Sequence, residues 1–173
     1  AQSRATEASE SRYRSYLVAD ELRQSSDDLT RLARTYVVTG ASRYEQQYQD
    51  ILAIRNGTRP RPEHYERIYW DLVAGGVAVP PSSGQAVPLQ ELMRKAGFSE
   101  QEFAKLQEAQ DVSDALVKTE VAAMNAVKGL FDDGRGGFTR KDEPNAEFAR
   151  AIMHDVAYHR NKARITFPLN DFL

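Results

Sequence analysis

Arg55, Glu120 and His159 are the residues whose types and spacing come closest to a chemical site, because each falls near the centre of an apolar helical stripe at about 100° per residue. A guanidinium, a carboxylate and an imidazole in a nonpolar interior can together hold and orient a small polar molecule, although a buried charge must be paired whatever its role. Counted along the helices, Arg55 lies 13 residues after Ser42, Glu120 lies 12 before Asp132, His159 lies 15 after Pro144 and Ser25 lies 13 before Val38. At 1.5 Å per residue the four share a layer roughly 20 Å from one end. Two arrangements are open. Arg55 and Glu120 pair internally with His159 satisfied by a neighbour, or the layer is a pocket where Arg55 takes a carboxylate or similar acceptor of a small ligand and His159 orients it. Tyr65 and Trp70 either pack a short helix or roof that pocket, since each has an apolar body and a polar tip.

Arg23, Asp27 and Arg31, at steps of four with Arg34 beside them, mark a charged outer face on the first helix. Such a face is either solvated and laced by weak pairs, or a dimer seam and anion contact where arginines grip a carboxylate bidentately.

Other chemistries fail on spacing. A di-metal carboxylate centre needs Glu-x-x-His pairs, but Arg61, Ala151 and Val156 stand three residues before His64, His154 and His159. His154 and His159 are five apart, hence about 140° apart on a helix, and do not share one metal easily. Asp132-Asp133-Gly134 resembles a calcium loop only faintly, because Gly136 and Gly137 stand where oxygen ligands belong. With no cysteine there is neither a disulfide framework nor thiolate ligation. No metal, no cofactor and no catalytic grouping are expected. The balance of 23 Lys and Arg against 25 Asp and Glu excludes the basic surplus of a nucleic-acid binder.

The elements that must position these residues read as helices. The 173 residues suit one domain, 1–173, and no window approaches the roughly 18 apolar residues of a membrane span. No signal-peptide pattern is present. From about 6 to 38 there is no Gly or Pro, and Val18, Leu22, Ser25, Leu29, Leu32 and Tyr36 recur at steps of four and three, ending at Gly40. Ser42 with Glu45 reads as a capping box opening a second helix, 42–56, with Tyr44, Tyr48, Ile51, Leu52 and Arg55 inward. Residues 58–97 hold five of the seven prolines and form an insertion, with one short helix from about Pro62 to Ala74 and another opened by Pro88, packed on the side of the long helices. Ser99 and Glu102 form a second capping box, flanked by Phe98 and Phe103 as a staple. The helix it opens runs from 99 to about 131 with Leu106, Gln110, Ser113, Val117, Glu120, Met124, Val127 and Phe131 inward. A glycine-rich turn precedes a fourth helix, about 144–173, with Phe148, Ile152, Val156, His159, Ala163, Thr166, Asn170 and Leu173 on one side and a kink at Pro168. The expected fold is all-α: an up-down-up-down antiparallel four-helix bundle with a short-helix insertion between the second and third long helices.

Particular strings carry more. Glu21-Leu22-Arg23-Gln24-Ser25-Ser26-Asp27-Asp28-Leu29-Thr30-Arg31 and Ala33-Arg34-Thr35-Tyr36-Val37-Val38-Thr39-Gly40, with Ile54-Arg55-Asn56-Gly57, Arg61-Pro62, Tyr69-Trp70-Asp71 and Ala123-Met124-Asn125-Ala126-Val127-Lys128-Gly129, resemble the periplasmic sensor region of bacterial methyl-accepting chemotaxis receptors. Related regions occur on sensor histidine kinases and diguanylate cyclases. The chain begins at Ala1 without Met and stops at Leu173 inside a helical pattern, so it reads as a fragment of something longer. The resemblance implies a periplasmic, non-enzymatic domain of an inner-membrane receptor, with membrane helices on either side and a parallel homodimer as the working form. A scaffold or adaptor bundle that senses no small molecule is the alternative.

Overall fold

The computed structural model describes residues 2–62, 65, 69–76 and 84–173, with only the backbone at Gln2. These residues are mostly helical. Helix α1 spans Gln2–Thr39, 38 residues without an interruption. Its seam is as the spacing requires: Leu22, Ser25, Leu29, Leu32 and Tyr36 are buried and Val18 is half-buried. Gly40 stops it at φ 66°, and its amide bonds back to the Tyr36 carbonyl at 2.7 Å.

Helix α2 covers Ser42–Asn56, but the predicted Ser42–Glu45 capping box does not form. Ala41 holds the extended backbone of the cap, so Ser42 already sits one residue inside the helix, where its hydroxyl cannot serve as the cap acceptor. At the other end Gly57 adopts φ 80° and closes the helix on Ile54.

The insertion supplies α3, Tyr69–Ala74, and α4, Leu89–Lys95. The expected start of α3 at Pro62 is not met, since Pro62 and Tyr65 are not helical. His64 and Ile68 lie outside the described residues. Pro88 does open α4. That helix packs against α1, α2 and α5, and Leu89 and Met93 are fully buried, each worth roughly 1.5–3 kcal/mol of apolar burial. The insertion thus contributes to the core and is not only laid on its side.

Helix α5 spans Glu100–Val127. Ser99 accepts from the Glu102 amide at 3.2 Å and Glu102 from the Ser99 amide at 3.0 Å, the capping box as expected. Phe98 and Phe103 both pack against the core. The helix ends four residues before Phe131, because Leu130–Phe131 (β1) pairs antiparallel with Arg140–Lys141 (β2), a two-residue ladder where no strand was expected. The turn between them satisfies itself. Asp133 accepts from the amides of Arg135 and Gly137 and from the Thr139 hydroxyl, and those bonds hold its carboxyl below the usual range.

The largest departure comes in the last quarter of the chain. The fourth long helix is two helices, α6 at Ala146–His154 and α7 at Val156–Leu169, followed by a 3-10 turn at Asn170–Phe172. Asp155 breaks the run with extended backbone, ψ 172°, and its side chain accepts from the Tyr158 amide at 2.8 Å as the cap of α7. Pro168 falls in the last turn of α7, so the interruption lies at Asp155. The inward face changes with it: Ala149, Met153, Tyr158, Ile165 and Leu169 are buried, whereas Phe148, Val156 and His159 are exposed.

Helix α1 packs on α2, α4, α5, α6 and α7, and α5 packs on α4, α6 and α7. Phe98 meets Phe172 edge to face at 5.4 Å, and the Ser15 hydroxyl donates to the Ala96 carbonyl at 3.2 Å. The early part of α1, the start of α5 and the end of α7 therefore share one end of the molecule.

Candidate functional site

Arg55 is placed by the last turn of α2, where its stripe position turns it inward. Its Nη1 donates to Ser113 Oγ at 2.7 Å and lies 3.5 Å from Ser25 Oγ, while Nη2 donates to Asp114 Oδ1 at 2.9 Å. Its Nε has no partner among the described residues. Glu120, nearly two turns beyond Ser113 on α5, is as buried as Arg55 but belongs to a different cluster. Tyr48 donates to its Oε1 at 2.9 Å and Tyr158 to its Oε2 at 2.6 Å, with the Thr30 hydroxyl 3.4 Å from the same oxygen. Burial raises the Glu120 pKa, and the bonds from Tyr158 and Tyr48 oppose that rise.

The expected Arg55–Glu120 pair is absent, because Asp114 and Ser113 lie nearer the guanidinium and two tyrosines occupy the carboxyl. His159 does not join the layer. The break at Asp155 rotates α7, so His159 faces outward and Tyr158 takes the inward position. Ser25, Arg55 and Glu120 are all buried as the phase required.

The charged face of α1 is largely used inside the chain. Arg23 bonds Asp20 at 2.7 Å and Asp27 at 3.3 Å, and Asp27 also takes Lys162 of α7 at 2.9 Å. Lys162 further donates to Ser26 at 2.9 Å. Arg31 lies 3.5 Å from Asp28 and 3.6 Å from Asp71 of α3. Arg34 donates to the Met153 carbonyl of α6.

A recess of about 460 Å³ opens on the side of α1 next to this polar layer, within the size range of small-ligand sites. Its α1 wall holds Tyr13, Leu17, Asp20, Glu21, Gln24, Ser25 and Asp28, and Arg61, Tyr65 and Trp70 face them from the insertion. Tyr65 and Trp70 do form a roof, though over this recess and not over Arg55. The Trp70 indole donates to the Tyr65 hydroxyl at 2.7 Å, and the two rings meet edge to face at 6.3 Å. Arg61 is held by three bonds: Nε and Nη2 grip both oxygens of Glu21 at 2.7 Å each, and Nη1 donates to the Val87 carbonyl at 2.8 Å.

Asp28 differs from the other acids. It is 5% exposed, its Oδ1 accepts from the Gln24 amide at 3.2 Å, and Arg31 approaches that same oxygen. Burial pushes its pKa up to about 6, against the opposing pull of the Gln24 bond and Arg31.

Sequence reasoning missed Asp28, Glu21 and Arg61 as site residues. The available signal was the polar stripe of Asp20, Gln24, Asp28 and Arg31 running beside the apolar seam, too wide for a solvated face alone. A second recess, about 620 Å³, lies under the hairpin among Val117, Val121, Phe131, Phe138 and Phe148. Among the described residues no group of three or more His, Cys, Asp or Glu is placed to hold a metal ion, and no helix is long and apolar enough to cross a membrane. Searches against protein-family models, curated proteins and solved structures found no match to this chain.

Proposed function

We propose that this chain is the extracytoplasmic ligand-sensing domain of a bacterial transmembrane receptor, of the chemoreceptor kind, built as an antiparallel four-helix bundle. In that bundle α1 and α5 are two walls, α2 continued by α4 is the third, and α6 with α7 is the fourth. The observation that carries the reading is the recess on α1. The stretches that resemble chemoreceptor sensors, Glu21 to Arg31, Arg61, and Tyr69 to Asp71, are distant in sequence and converge there. A purely structural bundle has no need of such convergence.

The coupling route is short. Asp28 faces the recess while its neighbour Asp27 is held by Lys162 of α7, so a molecule that binds the recess and moves this part of α1 also loads α7. A ligand acts this way only if it binds two arrangements of α1 and α7 with different affinity. A parallel homodimer belongs to the proposal, with a seam outside Arg23, Asp27 and Arg34, since these are engaged within the chain. The domain binds and relays, and the reading gives it no catalytic step.

The hairpin recess favours a second reading, a scaffold that seats an apolar partner against Phe131, Phe138 and Phe148. A hybrid receptor separates the two. This chain is spliced between the membrane helices and output domain of a chemoreceptor, and cells are screened for responses to small metabolites, with thermal shift run in parallel because a true ligand stabilises the fold by mass action. A response that disappears on blocking the α1 recess is expected. A hybrid that signals to no small molecule, with no stabilising metabolite, would sink the sensor reading.

A further inference from the structure

The side-chain chemistry of the recess narrows what it can hold, and this step rests on the sensor reading above. Three carboxylates and one guanidinium line it: Asp20, Glu21 and Asp28 against Arg61. An anionic ligand would need an unneutralised cation in the wall, and Arg61, the one guanidinium of the lining, has its charge matched by both oxygens of Glu21 and a third N–H on the Val87 carbonyl. Asp20 and Glu21 are likewise matched by Arg23 and Arg61.

Asp28 is the unmatched charge. Its side chain is 7% exposed, both its contacts fall on Oδ1, and Oδ2 has no partner among the described residues. Arg31 sits loosely between Asp28 at 3.5 Å and Asp71 at 3.6 Å, so it neutralises neither fully. A carboxylate on a residue this enclosed is costly to ionise unless donors are supplied to it, and the nearest cation, Arg31, makes no hydrogen bond through Nη2. Opposite it stand the rings of Tyr65 and Trp70, whose faces attract cations. The Tyr65 hydroxyl accepts from Trp70 and keeps its own hydrogen to donate.

We infer that the recess binds a protonated amine, with Asp28 as counter-ion and hydrogen-bond acceptor, and Tyr65 and Trp70 as the wall against its carbon body. The ammonium supplies the donors that Asp28 Oδ2 lacks, and ligand charge replaces the weak pull of Arg31. This replaces the carboxylate expected from Arg55, which is enclosed by Ser113, Ser25 and Asp114 and does not line the recess.

The raised pKa of Asp28 gives the binding a pH signature. An amine needs the ionised carboxylate, so affinity falls as pH drops through about 6. The other charged or titratable groups of the recess and its rim are Tyr13, Asp20, Glu21 and Arg31 on α1, Asp71 on α3, and Arg61 and Tyr65 on the connecting segment. His64 is adjacent to Tyr65 in sequence, so a His64→Gln variant accompanies the pH series.

Trp70 is the single tryptophan of the chain and reports from the wall itself. Its fluorescence is followed while the protein is titrated with phenethylamine, 2-phenylethanol and 3-phenylpropionate, which share one ring and differ in charge. The amine saturates the signal and binds at least about tenfold tighter than the alcohol or the acid, and Asp28→Asn brings it down to the level of the alcohol. Alcohol or acid binding as tightly as the amine, or an Asp28→Asn variant that keeps the preference, overturns the amine and leaves the recess as a ligand site. No response to any of the three at about 10 mM overturns both the amine and the recess. Should Asp28→Asn fail to fold, the pH series decides alone. An amine affinity unchanged between about pH 5 and 7.5, with or without His64, is incompatible with Asp28 as counter-ion.

Discussion

Arg34 Nε donates to the Met153 carbonyl at 3.0 Å, and its guanidinium lies 5.0 Å from the centre of the Tyr158 ring. The carbonyl belongs to the last turn of α6, where a helix that stops leaves acceptors without amide donors. One side chain of α1 thus supplies what the break at Asp155 removes, and bridges α6 and α7 across it.

Arg34→Met keeps much of the packing but loses the bond and the ring contact, and it should destabilise the fold by roughly 1–3 kcal/mol in urea unfolding. Amide exchange should quicken first around residues 153–156. Unchanged stability together with unchanged exchange would show that the break is held by something else.

Asp28→Asn should make the ligand-free protein more stable at neutral pH. The sign follows from linkage: a carboxyl raised from 3.8 to about 6 by burial contributes stability below its unfolded value, and this is lost as pH rises through the folded value. The variant lacks that loss, so it gains on wild type across the window from about pH 4 to 6 and holds the gain above it, by roughly 2–3 kcal/mol at most. Denaturation midpoints at about pH 4 and 7.5 check this, and a variant weaker than wild type at the higher pH would refute it.

Glu120→Gln should flatten a second pH dependence of the same sign, since burial raises Glu120 and the tyrosine bonds only temper it. Tyr158→Phe should instead steepen it, because the carboxylate loses its shortest donor. Parallel slopes for both variants would mean that the cluster does not titrate as a unit.

Arg55→Lys is expected to cost roughly 1–3 kcal/mol of stability, since one ammonium cannot replace the fork that reaches Ser113, Ser25 and Asp114 together. Amine affinity at the recess should change little. Affinity lost in step with stability would place Arg55 in the site after all.

Periodicity read α1, α2 and α5 well because each is a continuous helix whose apolar stripe has one phase, and glycines at 40 and 57 and the cap at Ser99 mark their ends. It failed after Pro144 because two stripes lie side by side there. Phe148 outweighs Ala149 in size, Val156 carries the same stripe past the break, and nothing in a helical wheel announces that Asp155 resets the phase. Inward direction was legible for Arg55 and Glu120, but their partners were not, since phase says which way a side chain points and not which neighbour waits there. Asp28 was missed for the opposite reason. It stands beside the seam, in a stripe that looks solvated until the insertion folds over it.

Helices α2 and α4 meet although some thirty residues separate them in sequence. Gly57 ends the first piece against Pro88 of the second, so tightly that a Cβ at Gly57 would lie 2.5 Å from the proline Cδ. Between those two residues the chain leaves, places Arg61, Tyr65 and Trp70 in the recess wall that faces α1, and returns to Gly57. That detour is a loop clamped at its neck and anchored in the core by Tyr69 and Trp70. A side chain at residue 57 would spring that neck, so the wall that Arg61, Tyr65 and Trp70 present to α1 depends on a glycine that does not itself line the recess.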